Sequence, residues 1–324
     1  SVNAAGTLRG TGSTDAAIAS TGGTIAPGVG GVGTFSTGSV SLDGSSAFSF
    51  DTSGPGSDLL QVAGTVALNG AFNPNAISTP ADDTITVIDN DGTADATTGQ
   101  FTGIADGGTV MLGTREYQLF YNGGDGNDVV LVSTDTSDVT ISATTDAAES
   151  STAGQFTVHL SSARSTDTVV AYTATGTAAE GADYTTLGGQ VTILAGQTSA
   201  TIDISVIDDP FLESTETVIV TLDSIVSGFV GVSVGTADSA TISLSDNDTA
   251  TADLSVSTHG VEGGVDIVFT VTLSQENQTG APITFSIVDL ATGSATGGVD
   301  YTLILPGATI SVADGESTGT FTVS

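Results

Sequence analysis

The chain has 324 residues, with 37 Asp or Glu against three Arg, two His and no Lys, and a formal net charge of −34. No basic surface exists to displace phosphate counterions, which excludes nucleic acid as a partner and disfavours an anionic membrane surface. Cysteine is absent, so disulfides, thiolate metal sites and a cysteine nucleophile are excluded as well.

Gly (43 residues), Thr, Ser, Ala and Val dominate and Trp is missing, a mixture that suits short β-strands joined by tight turns. Over residues 1–134 the triplet Gly-Thr-apolar recurs at Gly6, Gly23, Gly33, Gly64 and Gly108, between runs such as STGGTIAPGVGGVGTF and SDLLQVAGTVALNGAF. This succession resembles the C-terminal part of autotransporter-type passenger β-helices. The resemblance implies a right-handed β-solenoid end with a capping region. Within it, Gly123-Gly124-Asp125-Gly126-Asn127-Asp128 matches the calcium β-roll nonapeptide in form. Ions in such rolls lie between successive turns, so a single copy favours a tight hairpin turn over a calcium site. Asp89-Asn90-Asp91-Gly92 opens like an EF-hand loop, but its twelfth position is Gln100, which cannot supply a bidentate carboxylate.

Residues 135–249 alternate apolar and polar: Phe156, Val158 and Leu160 are expected on one face of a strand, with Gln155, Thr157 and His159 on the other. The strand-like run SATIDISVI leads into Asp208-Asp209-Pro-Phe-Leu-Glu213-Ser-Thr-Glu216, and TVIVTL follows it. Glu149 in DAAES, Asp183 in EGADY and the closing Asp246-Asn247-Asp248 complete the acidic set. Two like charges about 4 Å apart repel by roughly 4 kcal/mol at an effective dielectric near 20. Carboxylates gathered on one rim therefore need neutralising, and with Lys and Arg nearly absent a hard divalent cation fits. Calcium tolerates the irregular geometry of loops better than magnesium does.

This order of motifs resembles the Calx-β family, calcium-binding immunoglobulin-like sandwiches, and the resemblance covers residues 135–249 in full. Carried over position by position, it implies carboxylate ligands from Glu149, Asp183, Asp208, Asp209, Glu213, Glu216, Asp246 and Asp248, with the Phe211 carbonyl as a backbone ligand. Asn247 stands where some members have Asp, and Pro210 interrupts what can be a run of three.

Residues 250–324 repeat the pattern at an offset of about 115 residues: DVTIS returns as DLSVS, QFTVHLS as VFTVTLS and GADYTTL as GVDYTLI. Only Glu262 and Asp300 remain there as metal candidates, a weaker site than the first. The counterpart of the Asp208–Glu216 element and the strands after it are missing, so the second sandwich is expected to be incomplete. A cut from a longer array is the favoured reading; the other is completion by a strand from another molecule.

The fold class expected is thus all-β, a partial β-solenoid followed by immunoglobulin-like antiparallel sandwiches. No run of about 18 apolar residues is present, so no membrane insertion is expected from this segment. No signal peptide is visible and the first residue is Ser1, which reads as a piece of a larger extracellular or cell-surface protein. Enzymatic function is not expected, because three Arg and two His scattered along the sequence cannot neutralise a polyuronate and no aromatic sugar platform accompanies the carboxylates. The expected function is a calcium-binding structural or adhesive module of a secreted or surface bacterial protein, an adhesin-like rod stiffened by Ca2+. The alternative is a filament or surface-layer subunit that self-associates through the open second sandwich.

Overall fold

The computed structural model describes residues 1–92, 94–150, 152–261 and 263–324. Among the described residues every regular element is a β-strand, and no helix is long and apolar enough to cross a membrane. The fold is all-β.

In the first unit the chain passes repeatedly through three parallel sheets. Equivalent apolar positions therefore lie in register: Ile18 opposite Val40 and Val40 opposite Val66, Ile25 opposite Phe48 and Phe48 opposite Phe72, Phe35 opposite Leu60 and Leu60 opposite Ile88. These columns, all but Phe35 buried, form the core of the unit. The corners explain the Gly-Thr-apolar triplets. A Cβ on Gly23 would lie 2.6 Å from a Val2 methyl, and one on Gly64 would lie 2.4 Å from Ser39 Oγ, so the neighbouring coil leaves no space for a side chain.

An aromatic column closes this core. Phe72 and Phe101 stack with centroids 4.9 Å apart, and Phe101 and Tyr121 follow at 6.2 Å. The Tyr121 hydroxyl accepts from the Phe101 amide at 2.9 Å and donates to the Ile104 carbonyl at 2.8 Å. Beyond it, Gly108–Leu112, Arg115–Gly123 and Asp128–Ser133 form an antiparallel meander on the edge of Thr84–Asn90, which ends the parallel run. The Gly123–Asp128 segment is the hairpin turn expected of it, with the Gly126 amide donating to the Gly123 carbonyl at 2.8 Å.

The sandwich that follows has two sheets. One runs Ser199–Ile204, Gly154–Leu160, Ser137–Thr145, Val232–Val234; the other runs Ala147–Ala148, Ser239–Ser245, Glu216–Ser227, Thr168–Gly176, Gln190–Ile193. Phe156, Val158 and Leu160 are buried between them, while His159 is exposed and hydrogen-bonds Ser142. The alternation read from the sequence is thus the in/out pattern of a sheet buried on one face.

Asp83 joins the two units. Its Oδ1 accepts from Arg115 Nη2 and, at 3.2 Å, from Arg164 Nη1; its Oδ2 accepts from the Ser165 amide at 2.8 Å. Asp83 and Arg164 side chains are 2% and 1% exposed, and the Arg164 guanidinium lies 5.0 Å from the Phe229 ring centroid. Burial alone would raise the Asp83 pKa, but the Ser165 amide and the two guanidiniums outweigh it and hold the carboxyl below its usual range. The expectation that the arginines are scattered holds along the sequence and fails in space. Two of the three converge on one carboxylate, which lies 32 residues from Arg115 and 81 from Arg164.

The second copy repeats the strand pairing. Ala252–Thr258 pairs antiparallel with Ile267–Gln278, which pairs antiparallel with Glu316–Val323. Facing them is the two-stranded sheet Ile283–Ser286 and Thr309–Val312. Its core is small, formed by Val271, Leu273, Ile310 and Val312, while Leu254, Val288, Leu290 and Leu305 stay exposed.

Candidate metal centre

The acidic residues are delivered to one rim by strand register. Ala147–Ala148 pairs in parallel with the end of Ser239–Ser245, Ala148 opposite Ser245, so the next residues, Glu149 and Asp246, come together. The Glu149 amide donates to the Ser245 carbonyl at 3.1 Å, and the Ala148 and Thr152 backbones bridge each other. Across the same strand Glu216 sits opposite Leu244. Asp183 is fixed by a local turn in which its amide donates to the Ala179 carbonyl at 3.0 Å, while its Oδ2 caps the Ala179 amide.

Two triads result: Glu149, Asp246 and Asp248, and Asp183, Glu213 and Glu216. In each, one oxygen from every residue lies within 4.8 Å of the others. They are adjacent, since the Glu213 amide donates to Asp246 Oδ2 at 2.8 Å. Asp208 and Asp209 flank the triads without joining either. The exposed Asp208 accepts from Asn247 Nδ2 at 3.0 Å, and Asp209 Oδ1 accepts from the Phe211 amide at 2.9 Å. Phe211 is held through that amide. In the second copy Asp300 occupies the same turn as Asp183, accepting from the Thr296 amide at 2.7 Å, but it is exposed and belongs to no acidic triad among the described residues. Glu262 lies outside the described residues.

The electrostatics are those of a site lacking positive charge. Glu149 is pushed up to about 7, first by burial, against a hydrogen bond from the Asn247 amide, and then by sharing a proton with Asp246 and by the Asp246 and Asp209 charges. Glu213 reaches about 7 through burial and the charges of Asp183, Asp209, Asp246 and Asp248. Glu216 reaches about 7 through burial and its proton-sharing contact with Asp183. Each triad also holds a buried carboxylate oxygen with no hydrogen-bond donor, Oε2 of Glu149 and Oε2 of Glu216. A buried acceptor left without a donor costs about 1–3 kcal/mol. The donor set is all oxygen, anionic and unpaired, which suits a hard cation taking about 6–8 such ligands.

Residues 125–248 match the Calx-beta domain family. The match ends on Asp248, so both triads fall inside it. No curated protein sequence matches the chain. Similar solved structures include the apo-form Calx CBD1 domain, 23% identical over 35% of this chain and 100% of that one, with a TM-score of 0.31. The calcium binding domain CBD12 of CALX1.1 is 18% identical over 56% of this chain and 74% of that one, TM-score 0.30. A two-domain protein of unknown function from Bacteroides fragilis is 10% identical over 44% and 67%, TM-score 0.27.

A pH dependence follows from the three raised glutamates of the rim. Their folded pKa of about 7 lies above the ordinary 4.5, so between those values the folded state holds protons the unfolded chain has released. The stability they contribute is complete below about pH 4.5 and is lost as pH rises through about 7. Urea unfolding in chelator is therefore expected to show falling stability from pH 5 to pH 8, with a flatter profile in Glu213→Gln. Asp83, whose pKa is lowered, acts only at more acidic pH, while Asp58, pushed up to about 6 by burial, adds to the fall at the lower end of the window in both proteins. A profile rising towards pH 8, or one identical in the variant, would contradict the assignment.

Proposed function

We propose that the rim of the Calx-beta domain binds calcium through Glu149, Asp246 and Asp248 and through Asp183, Glu213 and Glu216, with Asp208, Asp209 and the Phe211 carbonyl as outer contributors. The observation that carries this reading is the pair of carboxylate triads whose buried Glu149 and Glu216 Oε2 atoms have no donor and which no ion pair reaches among the described residues. Calx-beta domains are calcium-binding β-sandwich modules, which supports the choice of ion. Bound calcium would supply the missing positive charge, and it stabilises the folded unit because the unfolded chain cannot assemble the ligands.

The role we assign is that of a structural or adhesive module in an extracellular or cell-surface protein of a bacterium, in which calcium stiffens consecutive β-units. The lysine-free, strongly acidic composition and the tandem organisation support this setting, and the chemistry of the rim is that of binding. Calorimetric titration of the chain with calcium tests the proposal directly. Binding is expected in the unaltered protein, and loss of at least one site in a variant carrying Asp246→Asn and Glu149→Gln. Absence of binding, or equal binding in the variant, would overturn it.

A further inference from the structure

The two triads do not face solvent alone, because the second copy is laid against them. Leu212–Glu213 pairs in parallel with Asn277 and Gln278, at the end of the second copy's longest strand, and Ser214 Oγ donates to the Thr279 carbonyl at 2.7 Å. Three residues after Asp248, the Thr251 amide donates to Ser274 Oγ and the Ser274 amide donates to the Thr251 carbonyl, each at 2.9 Å. Asn277, fully buried, ties the strand end to the Ala281 carbonyl at 2.9 Å and to the Val312 carbonyl at 3.2 Å. The backbone at 274–278 is thus fixed from both sides.

Gln275 projects from this fixed segment to the first triad. Its Nε2 donates to Asp248 Oδ1 at 2.9 Å. An ionised carboxylate only accepts hydrogen bonds, so this contact sets the orientation of the amide: turned over, two oxygens would oppose each other. The amide oxygen Oε1 is consequently committed elsewhere, and it is buried with no donor. Glu149 Oε2, in the triad to which Asp248 belongs, is likewise buried and unpartnered. Glutamine carbonyls are ordinary calcium ligands, and a neutral oxygen adds coordination without adding repulsion to a rim already crowded with negative charge.

We propose that Gln275 Oε1 is a ligand of the ion held by Glu149, Asp246 and Asp248, so that this site is completed by the second sandwich and belongs to the junction of the two copies. The inference rests on the calcium reading above. It makes Gln275 the residue through which occupancy of the Calx-beta rim is felt by the next domain, and it gives the site one neutral position among its acidic ones.

Terbium, a luminescent substitute for calcium, reports the number of water molecules on bound ions through its lifetimes in H2O and D2O. The full chain is compared with Gln275→Ala, with Gln275→Glu, which keeps an oxygen at the same reach, and with Gln278→Ala, exposed on the same strand. In Gln275→Ala the total bound water is expected to rise by one and the calcium dissociation constant to weaken by about tenfold. Gln275→Glu is expected to keep the water count of the unaltered chain, and Gln278→Ala to match it in every respect. Unchanged water number and unchanged calcium affinity in Gln275→Ala, with binding intact in the unaltered chain, would overturn the assignment of Gln275 alone. No calcium or terbium binding by the unaltered chain would overturn both readings, an outcome visible without any variant.

Discussion

Calcium at a hundred times its dissociation constant is expected to stabilise the sandwich of residues 137–245 by about 2.7 kcal/mol per site, read as an upward shift of several degrees in its melting transition. The effect arises on the folded side only. Glu149 and Asp246 meet because two strands pair in register, and Asp183 is brought to Glu213 and Glu216, themselves three residues apart, only by the fold. In the unfolded chain these groups are separated and solvated. A variant carrying Asp183→Asn, Glu213→Gln and Glu216→Gln should show an inversion. It loses the calcium shift at its site, and in chelator at pH 8 it melts higher than the unaltered chain. The reason is that like charges within 4.8 Å repel by about 3 kcal/mol per pair at an effective dielectric near 20, and the neutral amides remove that repulsion. Scanning calorimetry in calcium and in chelator measures both shifts. A variant that is less stable in chelator would show that the carboxylates serve hydrogen bonding within the fold and not cation binding.

Asp83→Ala is expected to cost about 3–5 kcal/mol in denaturant unfolding, far more than the change of under about 0.5 kcal/mol expected for Asp253→Ala on an exposed strand position. The loss comes less from the ion pairs themselves than from what their removal leaves behind. The Arg164 guanidinium is 1% exposed, its Nε already lacks an acceptor, and without Asp83 its charge has no counterion. Arg115 retains Asp135, at 2.6 Å, and the Ala81 and Asp82 carbonyls, so the cost falls mainly on Arg164. The double variant Asp83→Ala, Arg164→Leu should therefore recover much of the stability, because it removes the stranded charge together with its partner. Small-angle scattering of Asp83→Ala should also show a looser junction between the first unit and the sandwich. Unchanged stability in the single variant would reduce the clasp to a contact without energetic weight.

Much of the fold was legible because apolar alternation reports directly which face of a strand is buried. Phe156, Val158 and Leu160 against His159 is the simplest instance, and the repeated Asp-Tyr turn at Asp183 and Asp300 is another. The site was legible as a set of acidic segments but not as an arrangement. Eight carboxylates read as one rim resolve into two triads, with Asp208 and Asp209 turned to Asn247 and to the Phe211 amide instead. Gln275 carried no signal at all, being one polar residue in an exposed-looking run, Ser-Gln-Glu-Asn-Gln.

What the sequence by itself determined is the chemistry: strands and tight turns from glycine, threonine and valine, acidic segments that need a cation, and almost no positive charge to supply it. What only the tertiary structure decided is partnership. Which carboxylates come within reach of one another, why two of three arginines meet at Asp83, and how Gln275 comes to Asp248 all depend on strand register and domain docking. Those contacts bridge 27 to 97 residues of chain. Periodicity encodes the face a side chain takes, whereas its neighbour across a sheet or a junction is set by packing between segments that the sequence keeps apart.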